Sequence, residues 1–73
     1  MTAQEWVRSF ADEIGVGAPT DEQMDEILRL AAVAAHASER IAAPIACWLA
    51  GTSGRSLGEA REAAEGLATG DSG

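Results

Sequence analysis

Apolar residues recur at helical spacing in four separate stretches of the chain. In the first, Ala3, Trp6, Val7, Phe10, Ala11 and Ile14 follow one another at intervals of three and four and form one face of a helix. Thr2 with Glu5 has the S/T-x-x-E form of a capping box, and Gly15 suits the residue just past a helix end, so the first helix is expected over residues 2–15. The loop GVGAPT follows, where Pro19 turns Ala18 away from helical geometry. Thr20 with Gln23 opens a second helix, and Asp21 and Glu22 sit well at its positive end. Met24, Ile27, Leu28, Ala31 and Ala35 line one face of it, and Leu30, Ala34 and Ala37 widen that face. So broad and small-sided a face implies close packing against more than one neighbour. This helix is expected over residues 20–38.

Pro44 lacks an N–H and clashes with a preceding helical turn, so it fits the first turn of a new helix better than the middle of an old one. A short third helix is therefore expected over residues 44–51, with Ile45, Trp48 and Leu49 as its apolar residues and Gly51 as its end. GTSGRS reads as a turn. Ser56 with Glu59 is a third capping box, and Leu57, Ala60, Ala64 and Leu67 form the stripe of a fourth helix over residues 56–69. The expected architecture is a small all-α bundle of four helices, one domain over residues 1–73, with 70–73 a disordered tail. No strand pattern, internal repeat or linker is visible.

Size changes the picture of what holds such a fold together. For 73 residues, scaling laws put the folded surface at about 4,200 Å2 against about 11,000 Å2 unfolded, a burial of about 60%. That core is thin, and short chains often need a staple or a partner. Cys47 is the only cysteine and His36 the only histidine, which rules out an internal disulfide and a four-ligand zinc site. What remains is helix packing and association.

Twelve acids against five bases give a formal charge of −7. This balance repels nucleic acid and anionic membranes, so neither is an expected partner. No basic leader and no long apolar run stand at the start of the sequence, so no signal peptide or membrane span is expected and a cytoplasmic location follows, which suits a free thiol.

Candidate chemistry concentrates in one stretch, AHASERIAAPIACWLAG. His36 and Arg40 are four residues apart and share a helix face if the second helix extends that far, with Glu39 close by. One reading makes them contacts for an anionic or amide group. The other makes His36 a favourable charge at a helix end and Arg40 a cap on its carbonyls. Cys47 is a nucleophile only if something lowers its pKa; the plainer reading is core packing. Trp6 and Trp48 are expected in the core, with a half-exposed interface anchor as the alternative. Asp12, Glu13, Asp21, Glu22, Asp25 and Glu26 lack the ligand pattern of a calcium loop and read as solvated helix starts, or as a patch that steers a basic partner. No phosphate-cradling glycine motif is present; GTSGRS is at most a weak anion contact. No catalytic or metal-binding residue is assigned, and no cofactor is expected.

The stretch AAHASERIAAPIACWLAG, with EWVRSFADEIGV near the start and EAREAAEGLA near the end, resembles a small actinobacterial helical domain of unknown function. The resemblance runs from about residue 4 to 68 of the chain. It rests on a Trp-bearing first helix and a second helix ending in Ala-His. A basic residue, Ala-Ala-Pro, a short apolar helix and Gly follow. His36, Arg40, Ala43, Pro44 and Trp48 match that pattern. Where the family often has Gly after the His, this chain has Ala37, which favours one extra turn of the second helix. Such domains occur alone, or beside or fused to molybdopterin-guanine dinucleotide biosynthesis proteins. The resemblance therefore implies an accessory role in molybdenum-cofactor maturation, with a guanylyltransferase as partner, and not the transferase activity itself. The expectation from the sequence is a non-catalytic helical binding module with His36, Arg40, Pro44 and Trp48 as interaction residues. The alternative is a self-associating module without a ligand, and an enzyme built on His36 or Cys47 ranks last.

Overall fold

The computed structural model describes residues 1–70. Four α-helices follow in order, α1 (Ala3–Ile14), α2 (Asp21–Ala37), α3 (Ala42–Thr52) and α4 (Leu57–Gly70), and no strand occurs among the described residues. The chain is a small all-α bundle. The expected tail falls partly on α4, which reaches Gly70; residues 71–73 lie outside the described residues.

All three capping boxes form. The Thr2 hydroxyl accepts the Glu5 N–H at 3.1 Å while Glu5 accepts the Thr2 N–H at 2.8 Å, and Thr20 with Gln23 repeats both distances. Ser56 and Glu59 close the third box at 3.0 and 3.1 Å. Each satisfies two N–H groups that the first helical turn leaves without partners. Helix α1 ends in a Schellman motif. Gly15 takes φ 77°, its N–H donates to the Asp12 carbonyl, and the Val16 N–H donates to the Ala11 carbonyl at 2.9 Å. A side chain at Gly15 would strain this turn. The motif folds Val16 back over Ala11, one of only two apolar residues that are buried among those described.

Helix α2 ends at Ala37, so the extra turn expected from Ala37 is absent. Ser38 leaves helical geometry at φ −139°, ψ −106°. The carbonyls of Glu39 and Arg40 instead accept the N–H groups of Ala42 and Ala43 at 2.9 and 3.1 Å, which starts α3 two residues before Pro44. Pro44 then stands third in α3, where an N–H has no intrahelical partner to lose.

Both α3 and α4 pack along α2, and they meet each other only slightly. The small side chains of α2, Ala31, Ala34 and Ala35, are half-buried there, so the broad alanine face is used within the chain. Against it lie Ala43, Ala46, Cys47 and Ala50 of α3 and Ala60 and Ala64 of α4, all half-buried. Leu30, 3% exposed, is the one large side chain sealed between helices among the described residues.

Helix α1 packs along none of the other three. This gives the molecule extents of 44 × 24 × 18 Å and a radius of gyration of 13.2 Å, against about 11 Å for a compact chain of this length. The accessible surface is 5520 Å2, roughly 1,300 Å2 more than the about 4,200 Å2 that scaling assigns to a compact fold. The tryptophans show where it goes. Trp6, stacked on Phe10 with centroids 5.2 Å apart, is 54% exposed and Trp48 is 68% exposed, so neither is a core residue. Ile45 and Leu49 of α3 are likewise exposed. The helices form where periodicity places them, but α1 and the outer side of α3 bury their stripes against nothing in the chain.

Candidate functional site

The residues singled out in the sequence gather around the end of α2 and the start of α3. His36 is the penultimate residue of α2, Arg40 lies in the turn, and Pro44 and Trp48 lie on the first two turns of α3. All four are exposed. Because α2 stops at Ala37, Arg40 does not continue the α2 face that carries His36. Neither side chain hydrogen-bonds the end of α2: the Ala34 carbonyl accepts the Ser38 N–H at 3.2 Å, and neither the His36 nor the Arg40 side chain has a hydrogen bond or ion pair among the described residues. The reading of Arg40 as a cap on the α2 carbonyls therefore fails, while His36 does stand in the last turn of α2, where a positive charge is favourable. The reason for the failure is local: the turn carbonyls are taken by the backbone of α3, which leaves the two side chains in water.

Beside this corner, α2, α3 and α4 enclose an open groove of about 330 Å3. Its walls are Ala34 and Ala37 of α2, Ala42 and Ala46 of α3, and Ala64 and Leu67 of α4. It contains no ionisable side chain. Such walls offer shape and apolar contact but no acid, base or nucleophile.

Cys47 points the other way, onto α2. Its Sγ lies 3.9 Å from the Ile27 carbonyl oxygen, the range of a weak S–H donor. Burial there pushes the thiol pKa up, away from the thiolate that a nucleophile requires. Among the described residues no group of three His, Cys, Asp or Glu is placed to hold a metal ion. No helix among them is long and apolar enough to cross a membrane.

One polar cluster was not legible in the sequence. Arg61 of α4 donates through Nε to Glu26 Oε1 of α2 at 2.5 Å and through Nη2 to Glu26 Oε2 at 3.4 Å. Its Nη1 donates to Glu65 Oε1 at 3.0 Å, one turn along α4. Glu26 is thus not part of a solvated acidic start, as its neighbours in sequence suggest; it clamps α2 to α4. The hydrogen bond from Arg61 holds its carboxyl below the usual range, and the bond to Glu26 followed by that to Glu65 raises Arg61. Gly58 lies beside this contact, where a Cβ would stand 3.5 Å from Glu26 Oε2, in ordinary van der Waals range. The Arg61–Glu65 spacing was readable as an i,i+4 pair. The 35-residue separation to Glu26 carried no local signal.

Neither a curated protein nor a solved structure matches the chain. A family model does, over residues 1–71, and on that match the chain belongs to the family described as Domain of unknown function (DUF6457).

Proposed function

We propose that this chain is a non-catalytic helical binding module that offers the α2–α3 corner to a protein partner, a guanylyltransferase of molybdenum-cofactor maturation. The observation that carries the binding reading is the state of the corner. The His36 and Arg40 side chains keep their hydrogen-bonding capacity unspent among the described residues, and Trp48, on the second turn of α3, stands 68% in solvent. Trp and Arg are the residue types that most often dominate binding energy when an interface closes over them. The raised Cys47 pKa and the alanine walls of the neighbouring groove favour recognition over chemistry. The partner's identity rests on the resemblance of residues 34–51 to domains found beside or fused to molybdopterin-guanine dinucleotide biosynthesis proteins. A cytoplasmic setting goes with that partner.

The test is an NMR titration of the full chain with a purified guanylyltransferase of this class. The His36 ring and Trp48 indole signals are expected to shift or broaden at micromolar enzyme. Arg40→Ala and Trp48→Ala are expected to weaken binding about tenfold or more each. Unchanged signals at saturating enzyme, with α2–α4 folded, overturn the assignment. A second reading, self-association, is favoured by the uncovered stripes of α1 and α3.

A further inference from the structure

Two apolar surfaces stay uncovered in the single chain, and they match each other. On α1, Trp6, Phe10 and Ile14 recur every four residues and stand about half in solvent. Along α3, Ile41 at the N-cap, Ile45 and Leu49 recur with the same spacing, and line a shallow groove together with Ser38, Glu39, Ala42 and Ala46. Rows at four-residue spacing are the ridges that interdigitate in the commonest crossing of two helices. The helices are also of similar length, 12 and 11 residues.

Charge agrees with apolar pattern. Neither row holds an ionisable group. Around its row, α1 carries Glu5, Asp12 and Glu13 against Arg8, a net of −2. Helix α3 itself carries no charged residue, and Glu39, Arg40 and Arg55 on its flanks sum to +1, in a chain whose total is −7. Helix α1 therefore suits α3 better than it suits another α1, which sets −2 against −2.

The chain's own α1 does not cover its own α3. The Schellman turn at Gly15 and the Pro19 loop lead α1 away from the other helices, and it packs along none of them. We infer that the α3 groove is filled by α1 of a second copy, and that the exchange is reciprocal, giving a two-fold dimer. The area suffices. The surface of 5520 Å2 exceeds a compact chain's by roughly 1,300 Å2, and a stable interface needs about 800 Å2 from each partner. Trp48 stands one helical turn from Ile45, and Pro44 one turn from Ile41, so the corner adjoins the α3 row. Phe10→Lys, which lies on α1, separates dimer formation from enzyme binding at the corner.

The test is sedimentation equilibrium of the full chain up to about 1 mM, with Phe10→Lys, Ile45→Glu and their equal mixture. The wild type is expected to pass from 7.5 kDa to twice that mass as concentration rises. Each variant is expected to weaken the dimer about tenfold or more. Their mixture restores it, since the mixed dimer has one native α1–α3 contact and one Lys–Glu contact. Both positions are exposed, so helicity by circular dichroism stays that of the wild type; Ile14→Lys with Leu49→Glu repeats the test one turn along. A wild type that stays monomeric throughout overturns the inference. So do variants that dimerise as the wild type does, a loss on Phe10→Lys with none on Ile45→Glu, and a mixture that shows no recovery.

Discussion

Replacing Leu30 by Ala is the most severe single truncation this fold offers. Leu30 is 3% exposed and sits between α2, α3 and α4. The side chains around it include Ala46, Leu49 and Ala50 of α3, Arg55 of the following turn, and Ala60 and Ala63 of α4. The alanines have no rotamers with which to fill a gap, so only Leu49 and Arg55 can move toward the space left by the isobutyl group. Large-to-small changes at buried leucines cost about 2–5 kcal/mol, more where the site does not collapse. A domain of this size holds about 4–11 kcal/mol in total. The expected loss is therefore about 3 kcal/mol or more, a large part of the whole, with a fall in Tm of about 12–24 °C. Phe10→Ala is the control. Phe10 is larger but 49% exposed, on a helix that packs along no other, and forfeits little beyond its stack on Trp6, about 0.5–1.5 kcal/mol. The assay is urea unfolding followed by circular dichroism at low micromolar protein, where a dimer does not contribute. A Leu30→Ala loss below about 1 kcal/mol, or a Phe10→Ala loss equal to it, refutes the assignment of the core to α2–α4.

Further outcomes follow from the same packing. Glu26 has a folded-state pKa below its unfolded one, so its bond to Arg61 contributes stability above the ordinary carboxylate range near pH 4.3 and loses it as pH falls through the lower folded value. Acid unfolding of Glu26→Gln is expected to have a flatter limb in that window, and an unchanged limb counts against the clamp. Gly66 lies inside α4 with open space where a Cβ would stand, so Gly66→Ala is expected to stabilise by about 0.5–1 kcal/mol in thermal unfolding. Cys47, half-buried with a raised pKa, is expected to react with a disulfide reagent more slowly than a free thiol and to reach the free rate in urea; equal rates in the folded chain contradict its placement on α2.

Local features were readable from the sequence and long-range ones were not. The three capping boxes, Gly15 at the end of α1 and the stripes of all four helices are encoded within a few residues of each other, and each forms where expected. The start of α3 moved from Pro44 to Ala42 because the carbonyls of Glu39 and Arg40, rather than a side chain, begin the helix. The missing extra turn of α2 has the same cause. Trp6 and Trp48 are expected in the core from the sequence, with a half-exposed interface anchor as the alternative, and both are exposed. Periodicity says which face of a helix is apolar but not what covers it, and here α1 and the outer face of α3 have no cover in their own chain. Of the candidate site, the gathering of His36, Arg40, Pro44 and Trp48 was visible as sequence proximity. Their common exposure, and the failure of Arg40 to cap α2, needed the fold. The Glu26–Arg61 clamp needed it as well, since nothing local distinguishes Glu26 from Asp25 beside it.

The central claim is that α1 stands apart from α2–α4 in the single chain and that its stripe is covered only on association. Amide hydrogen exchange measured residue by residue at two protein concentrations tests this directly. In dilute protein the α1 amides from Phe10 to Ile14 are expected to exchange near unprotected rates, while those around Leu30 are held by the packed helices. At high concentration α1 is expected to gain protection together with the α3 stripe. Protection of α1 equal to that of α2 in dilute protein, unchanged on concentration, would mean that α1 packs on its own chain and would contradict the account.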